Sequence, residues 1–138
     1  FCALLDPKHN KIYFANAAHN FPFLIREKNK NNIELLVANG SRLGHPADTQ
    51  EKTDDYEIKD TEFYPGDILF LYSDGLTELR NKNDVIFSER KLKAILKKMP
   101  LMKHTSDMSK LIENEVELFT KNDEQTDDIT FVICKFCP

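Results

Sequence analysis

Ile68-Leu69-Phe70-Leu71-Tyr72 is a continuous apolar run with no polar position to mark a wet face. A run of that kind reads as a strand buried on both faces. It is bracketed by punctuation, with a Pro65-Gly66-Asp67 turn before it and Ser73-Asp74-Gly75 after it. Other extended stretches lie upstream. Ala3-Leu4-Leu5 is followed by turn formers over 6–11, then by Ile12-Tyr13-Phe14-Ala15, rich in β-branched and aromatic residues. Strand character returns over 21–25, 33–37 and 56–63, and a loop with Gly40, Gly44 and Pro46 occupies 38–53.

After Gly75 the hydrophobic period changes. Leu92, Ile95, Leu96 and Met99 recur at helical spacing, with Ser88 as a cap and Pro100 as the stop. A second helix is expected from Thr105 or Ser106, with Met108, Leu111, Ile112, Glu115 and Phe119 on one face. Lys121 to Asp128 is a charged loop, and Ile129 to Phe136 returns to strand. Strands, then helices, then a last strand favour an α+β fold over an alternating parallel one.

The chain has 138 residues, 41% hydrophobic and 30% charged, which suits one globular domain over 1–138. A formal net charge of -4 argues against a nucleic-acid partner, because phosphate binding takes clustered Lys and Arg. No apolar run approaches the roughly 20 residues of a membrane span, so direct membrane insertion by this segment is not expected. No basic stretch followed by an apolar one marks a secretory signal. Cys2, Cys134 and Cys137 are an odd number and suggest no disulfide framework, so the cytoplasm is the simplest setting. The Cys134-x-x-Cys137 spacing has no second pair to complete a zinc site. Phe1 to Leu5 is apolar without a polar lead-in, which reads as a chain that begins in mid-strand.

Two places carry carboxylates next to apolar strands. Asp74 follows the Ile68 to Tyr72 run directly, with Gly75 behind it, and Asp127-Asp128 precedes the Ile129 to Ile133 run. If the two strands are neighbours in one sheet, these carboxylates converge. Convergent carboxylates repel unless a cation sits between them, and hard divalent ions prefer such oxygen ligands. Each Asp also reads as an ordinary turn or capping residue, and spacing alone leaves both readings open. Ser73 has no G-x-S-x-G elbow around it to make it a nucleophile.

The wider pattern around these residues is more specific. Tyr64 to Glu78 closely resembles the P-G-D-x-L-x-L-Y-T-D-G-x-T-E signature of SpoIIE-like phosphatases, a bacterial branch of the type 2C metal-dependent family. Tyr13 to Asn20 resembles the Y-x-N-A-G-H-N stretch of that family, and Leu43-Gly44 its L-G loop. Asn81 to Phe87 with Arg90 to Leu92 is similar to N-x-x-G-x-x-F-G-x-x-R-L, and Thr126 to Thr130 to the closing D-D-I-T. The similarity runs in order from Phe1 to Phe136.

The resemblance implies two packed, mainly antiparallel β-sheets flanked by helices, with the N-terminal part of the domain missing from this chain. It implies a binuclear Mn²⁺ or Mg²⁺ site that activates water for hydrolysis of phosphoserine or phosphothreonine, with no side chain as direct nucleophile. The substrate class would be a phosphoprotein, plausibly an anti-sigma factor antagonist, in bacterial signal transduction. On the motif match, Asp74 and Asp127 are the metal ligands. Gly75, Asp128, Asn16 and His19 support the site: Asp128 through its loop or a metal-bound water, Asn16 by organising a turn, and His19 as a phosphate or water contact. A structural His within its loop is the other reading of His19.

The departures are local. Ala18, Val85 and Ser88 stand where the pattern prefers Gly, so the turn at Asn16 to His19 either lacks a positive φ or strains Ala18 to reach it. The remaining metal ligands of the family belong to an earlier D-x-x-G-H-G-type segment that this chain does not contain. A parent protein with an upstream sensor or regulatory domain is therefore expected, either cytoplasmic or the cytoplasmic part of a membrane-bound protein, and the piece alone should be inactive. The alternative is a non-catalytic protein-binding module on a degenerate phosphatase fold.

Overall fold

The computed structural model describes residues 1–28, 32–44, 56–121 and 128–137. The strands are β1 (Cys2–Asp6), β2 (Lys11–Ala15), β3 (Phe23–Ile25), β4 (Ile33–Leu35), β5 (Lys59–Glu62), β6 (Ile68–Tyr72) and β7 (Phe131–Lys135). The helices are α1 (Asp74–Thr77), α2 (Ser88–Leu96) and α3 (Thr105–Thr120), with a 3₁₀ turn at Met99–Leu101. One sheet has the order β1-β2-β5 and the other β4-β3-β6-β7, and every pairing is antiparallel. The expected α+β fold of two packed antiparallel sheets with flanking helices is the one observed.

The second sheet is covered on both faces, which is what the β6 sequence requires. Alternate residues of a strand point to opposite faces. Ile68, Phe70 and Tyr72 therefore join the helix-side core with Leu92, Leu96, Met108 and Ile112. Leu69 joins the inter-sheet core with Ile12, Phe14, Leu24 and Phe63. Strand β2 shows the half-buried version of the rule: Ile12 and Phe14 are buried, and Lys11, Tyr13 and Ala15 between them are not. Phe23 stacks on Tyr72 at 5.4 Å within the second sheet, and Phe63 stacks on Phe136 at 4.0 Å between the two sheets. Burial and the nearby Glu89 carboxylate push the Tyr72 phenol up to about 12, so it stays neutral at ordinary pH.

Helix α2 starts where the cap was expected. Ser88 has φ 66, and its Oγ accepts the Lys91 N–H at 3.4 Å. The helix ends at Leu96 rather than at Pro100, which sits inside the 3₁₀ turn that follows. Proline has no N–H to continue the helical ladder, so the α-helix stops ahead of it. Glu115 breaks the apolar stripe of α3 because Lys98 reaches it across the helix pair at 3.0 Å. Helix α1 was not foreseen; four residues containing a Gly carry no helical period. No described helix is long and apolar enough to cross a membrane.

The start of β6 is fixed by a buried charge. Tyr64-Pro65-Gly66-Asp67 closes as a turn, with the Asp67 N–H bonded to the Tyr64 carbonyl at 3.0 Å and Gly66 at φ 93. That positive φ at the third turn position is what demands glycine. Asp67 is only 3% exposed. Its Oδ1 accepts the Glu27 N–H at 3.0 Å, and its Oδ2 accepts Arg26 Nη1 at 2.9 Å and the Tyr64 N–H at 3.1 Å. Arg26 also grips Glu34 through Nε and Nη2. Asp67→Ala would leave two backbone donors without their acceptor and Arg26 with Glu34 as its remaining carboxylate, at a cost of about 1–3 kcal/mol. Urea unfolding of D67A should show a loss of that size, and a loss under about 1 kcal/mol would mean that water already carries these groups.

Candidate functional site

Strands β6 and β7 are antiparallel neighbours, paired from Ile68↔Lys135 to Tyr72↔Phe131. The end of β6 therefore lies beside the start of β7, so the two strands are the neighbours that the sequence reading asked for. Contacts continue past the last pair. The Ser73 N–H donates to the Thr130 carbonyl at 2.9 Å. The Thr130 N–H donates to Ser73 Oγ at 3.0 Å, and that hydroxyl donates to the Asp128 carbonyl at 3.3 Å.

Asp74 opens α1 and is exposed, while Gly75 and Leu76 behind it are buried and anchor it. Its Oδ1 accepts the Gly75 N–H at 3.1 Å. Its carbonyl accepts the Glu78 N–H at 2.8 Å and the Thr77 hydroxyl at 3.2 Å. Among the described residues no cation pairs with Asp74, so its remaining oxygen faces solvent. Asp128 is also exposed, on the loop held by Ser73. Asp127 lies outside the described residues. An exposed carboxylate on a rigid strand end suits a hard divalent cation. Among the described residues no group of three or more His, Cys, Asp or Glu could hold a metal ion.

Asn16 and His19 form a separate turn. Asn16 is 3% exposed. Its Oδ1 accepts the His19 N–H at 3.0 Å and its Nδ2 donates to the His19 carbonyl at 2.8 Å, so it organises the turn as expected. Gly40 lies against this turn, and a Cβ there would run into the Asn16 carbonyl and the Tyr56 ring. His19 is exposed, and its Nδ1 lies 2.7 Å from the Asn20 carbonyl. A carbonyl only accepts, so Nδ1 carries the proton in this bond and Nε2 is the other ring nitrogen. Among the described residues no hydrogen bond or ion pair joins Asp74 to this turn. His45 lies outside the described residues, and His9 pairs with Asp6 on the surface.

The replaced glycines resolve differently. Ala18 sits at φ 59, so Ala18 does bear the strain. In the Asn81 to Phe87 loop the positive φ falls on Asp84 rather than Val85, while Asn81 Oδ1 accepts the N–H groups of Asn83 and Val85 at 3.0 and 3.1 Å. The feature that sequence reasoning missed is Ser73. It was weighed only as a nucleophile, although a hydroxyl at the end of a core strand is well placed to bond the neighbouring strand.

The pattern of the Stage II sporulation protein E (SpoIIE) family matches residues 1–136. The chain belongs to the SpoIIE family. No curated protein sequence matches it. Solved structures with this fold include the SiaA-PP2C domain of Pseudomonas aeruginosa, at TM-score 0.77 and 17% identity over 97% of this chain and 49% of that one. The phosphatase domain of the cell fate determinant SpoIIE from Bacillus subtilis, Mn presoaked, matches at TM-score 0.63 and 20% identity over 99% of this chain and 55% of that one. The RsbU and RsbW domains of a Mycobacterium tuberculosis protein match at TM-score 0.63 and 17% identity over 99% and 35%. This SpoIIE-family chain thus spans about half the length of the first two.

A left-handed Ala costs roughly 1–2 kcal/mol relative to a relaxed backbone. Glycine removes that strain at an entropic cost of about 0.4–1 kcal/mol in the unfolded chain. Ala18→Gly should therefore raise stability by about 0.5 kcal/mol, read as a higher melting temperature. A lower one would show that the turn is unstrained.

Proposed function

We propose that this chain is the C-terminal portion, a single domain segment over 1–138, of a metal-dependent protein serine/threonine phosphatase domain. The observation that carries the reading is the junction of β6 with β7, where exposed Asp74 stands at the strand end bonded to the Asp128 loop. Membership of the SpoIIE family and the shared fold support it.

On this reading Asp74 and Asp127 are ligands of a Mn²⁺ or Mg²⁺ centre completed by the rest of the domain. Such a centre supplies charge neutralisation and an activated water for attack on phosphorus. Manganese is supported by the presoak of the B. subtilis phosphatase domain. The residues of this chain do the holding. Asp74 offers a solvent-facing oxygen on a backbone anchored by Gly75 and Leu76. Asp128 follows Asp127 in the D-D-I-T motif, and its carbonyl is bonded to the Ser73 hydroxyl. Asn16 fixes the turn that presents His19, whose Nε2 is placed for contact with a water or a phosphate oxygen. The substrate is a phosphoserine or phosphothreonine protein, an anti-sigma factor antagonist being the class that the family resemblance suggests, and the setting is cytoplasmic signalling under an upstream regulatory domain.

Asp74→Asn in the complete domain tests this. Changes to groups behind metal ligands already cost 10–100-fold, so loss of a ligand should cost about 100-fold or more in Mn²⁺-dependent phosphate release from a phosphoserine peptide. Unchanged release would remove Asp74 from the site. The chain by itself, with two of the carboxylates, should bind Mn²⁺ only in the millimolar range and turn over little. Tight binding in calorimetry would contradict that.

A further inference from the structure

Helix α2 and the turn after it carry a charge pattern opposite to that of the chain as a whole. Residues 88–98 hold five cations against the carboxylate of Glu89, in a chain whose formal net charge is -4. Leu92, Ile95 and Leu96 point into the core. Arg90, Lys93, Ala94 and Lys97 recur at i, i+3, i+4 and i+7, which puts them together on another face of the helix. With Ile33 of β4 and Glu89, that face lines a groove of about 710 Å³. Three cations and one carboxylate leave the groove positive, and Ile33 and Ala94 give it apolar contact surface.

The fold itself uses three of the five cations. Lys91 lies over the Phe87 and Phe119 rings at 5.2 and 4.7 Å, and Lys98 pairs with Glu115 at 3.0 Å. Lys93 pairs with Glu89 one turn back and lies 5.3 Å from the centre of the Phe23 ring. Among the described residues no carboxylate pairs with Arg90 or Lys97, and both are exposed. Arg90 also stands in the first turn of α2, at the positive end of the helix dipole, where a cation is unfavourable. Stability of the helix therefore does not account for it. We propose that this groove docks an acidic segment of another protein, with carboxylates toward Arg90, Lys93 and Lys97 and an apolar side chain against Ile33 and Ala94. The cations spread over about 10 Å of helix axis. Acidic residues on one face of an extended segment stand about 7 Å apart, so two of them come within reach of these long side chains at once. Nucleic acid fits less well, because its phosphates ask for a broad basic surface and the chain is acidic overall. The inference is independent of the metal reading of Asp74.

The test titrates the chain with a short fluorescent peptide that alternates Glu with Leu, and with its counterpart that alternates Gln with Leu. Anisotropy reads the affinity, and ¹⁵N spectra locate the contact. The Glu peptide should shift the Ile33 and Ala94 amides, weaken as salt is raised, and bind about tenfold more tightly than the Gln peptide. Arg90→Glu with Lys97→Glu should weaken it about tenfold or more, since two attractions become repulsions. Lys8→Glu with Lys110→Glu makes the same change of net charge at other exposed positions and should alter affinity less than about twofold. Arg90→Gln with Lys97→Gln repeats the comparison if the double reversal lowers the melting temperature. Equal binding of the Glu and Gln peptides, or equal loss in the two double reversals, overturns the proposal. So does the absence of binding at millimolar peptide. Duplex DNA or a phosphatidylserine vesicle that shifts Ile33 and Ala94 at lower concentration than the Glu peptide would also overturn it, by assigning the groove to phosphate.

Discussion

The β6–β7 ladder is the constraint on which the rest hangs. Five residue pairs, from Ile68↔Lys135 to Tyr72↔Phe131, set which side of the second sheet meets the helices and which meets the first sheet. A slip of one residue would turn Phe70 and Tyr72 toward the wrong layer. Both ends of the ladder are therefore tied. At one end the Gly66 N–H bonds the Phe136 carbonyl at 2.7 Å, and the Phe136 N–H bonds the Asp67 carbonyl at 2.9 Å. At the other end Ser73 bonds Thr130 and Asp128. The position of Asp74 relative to the β7 side follows from that register.

Parts of this were legible because they rest on local rules. The unbroken apolar run of β6 needed cover on both faces, and it has it. The helical spacing of Leu92, Ile95 and Leu96 puts all three in the core. Asn16 as organiser of its turn followed from the chemistry of an amide side chain, which can donate and accept within one loop. Other parts were illegible for an equally physical reason. That Asp67 is buried depends on Arg26 arriving from a residue 41 positions away, and no local window contains that pair. Helix α1 forms over four residues because Leu76 fills a hole in the core, not because its sequence is helical. The role of the Ser73 hydroxyl needed the identity of the neighbouring strand, which hydrophobic pattern alone does not supply. Asp127, the second expected ligand, lies outside the described residues.

The sheet edges are not all treated alike. β1 and β7 each close one side of a sheet, and each shows apolar side chains to solvent there, with Leu4 67% and Val132 55% exposed. Unpaired edges with apolar residues invite pairing with another strand. Strand β5, the opposite edge of the first sheet, reads Lys59-Asp60-Thr61-Glu62 and carries the charge that discourages it. The polar edge is protected by its own sequence, and the apolar edges are not.

Two aspartates bracket β6, and their surroundings separate their uses. A carboxylate offers about four acceptor positions. Asp67 is buried and spends three of them, on Arg26, Glu27 and Tyr64. A cation there would have to displace a guanidinium already held at 2.9 Å, and the layers would have to open to admit it. Asp74 spends one on the amide of its own neighbour and leaves the rest toward water. Its backbone is anchored too, because Gly75 and Leu76 behind it are buried. A ligand must combine a fixed position with unspent oxygens, since the first limits the entropy lost on binding and the second supplies the bonds. Asp67 has only the first property. Asp74 has both, and of the two aspartates it is the one suited to the proposed metal.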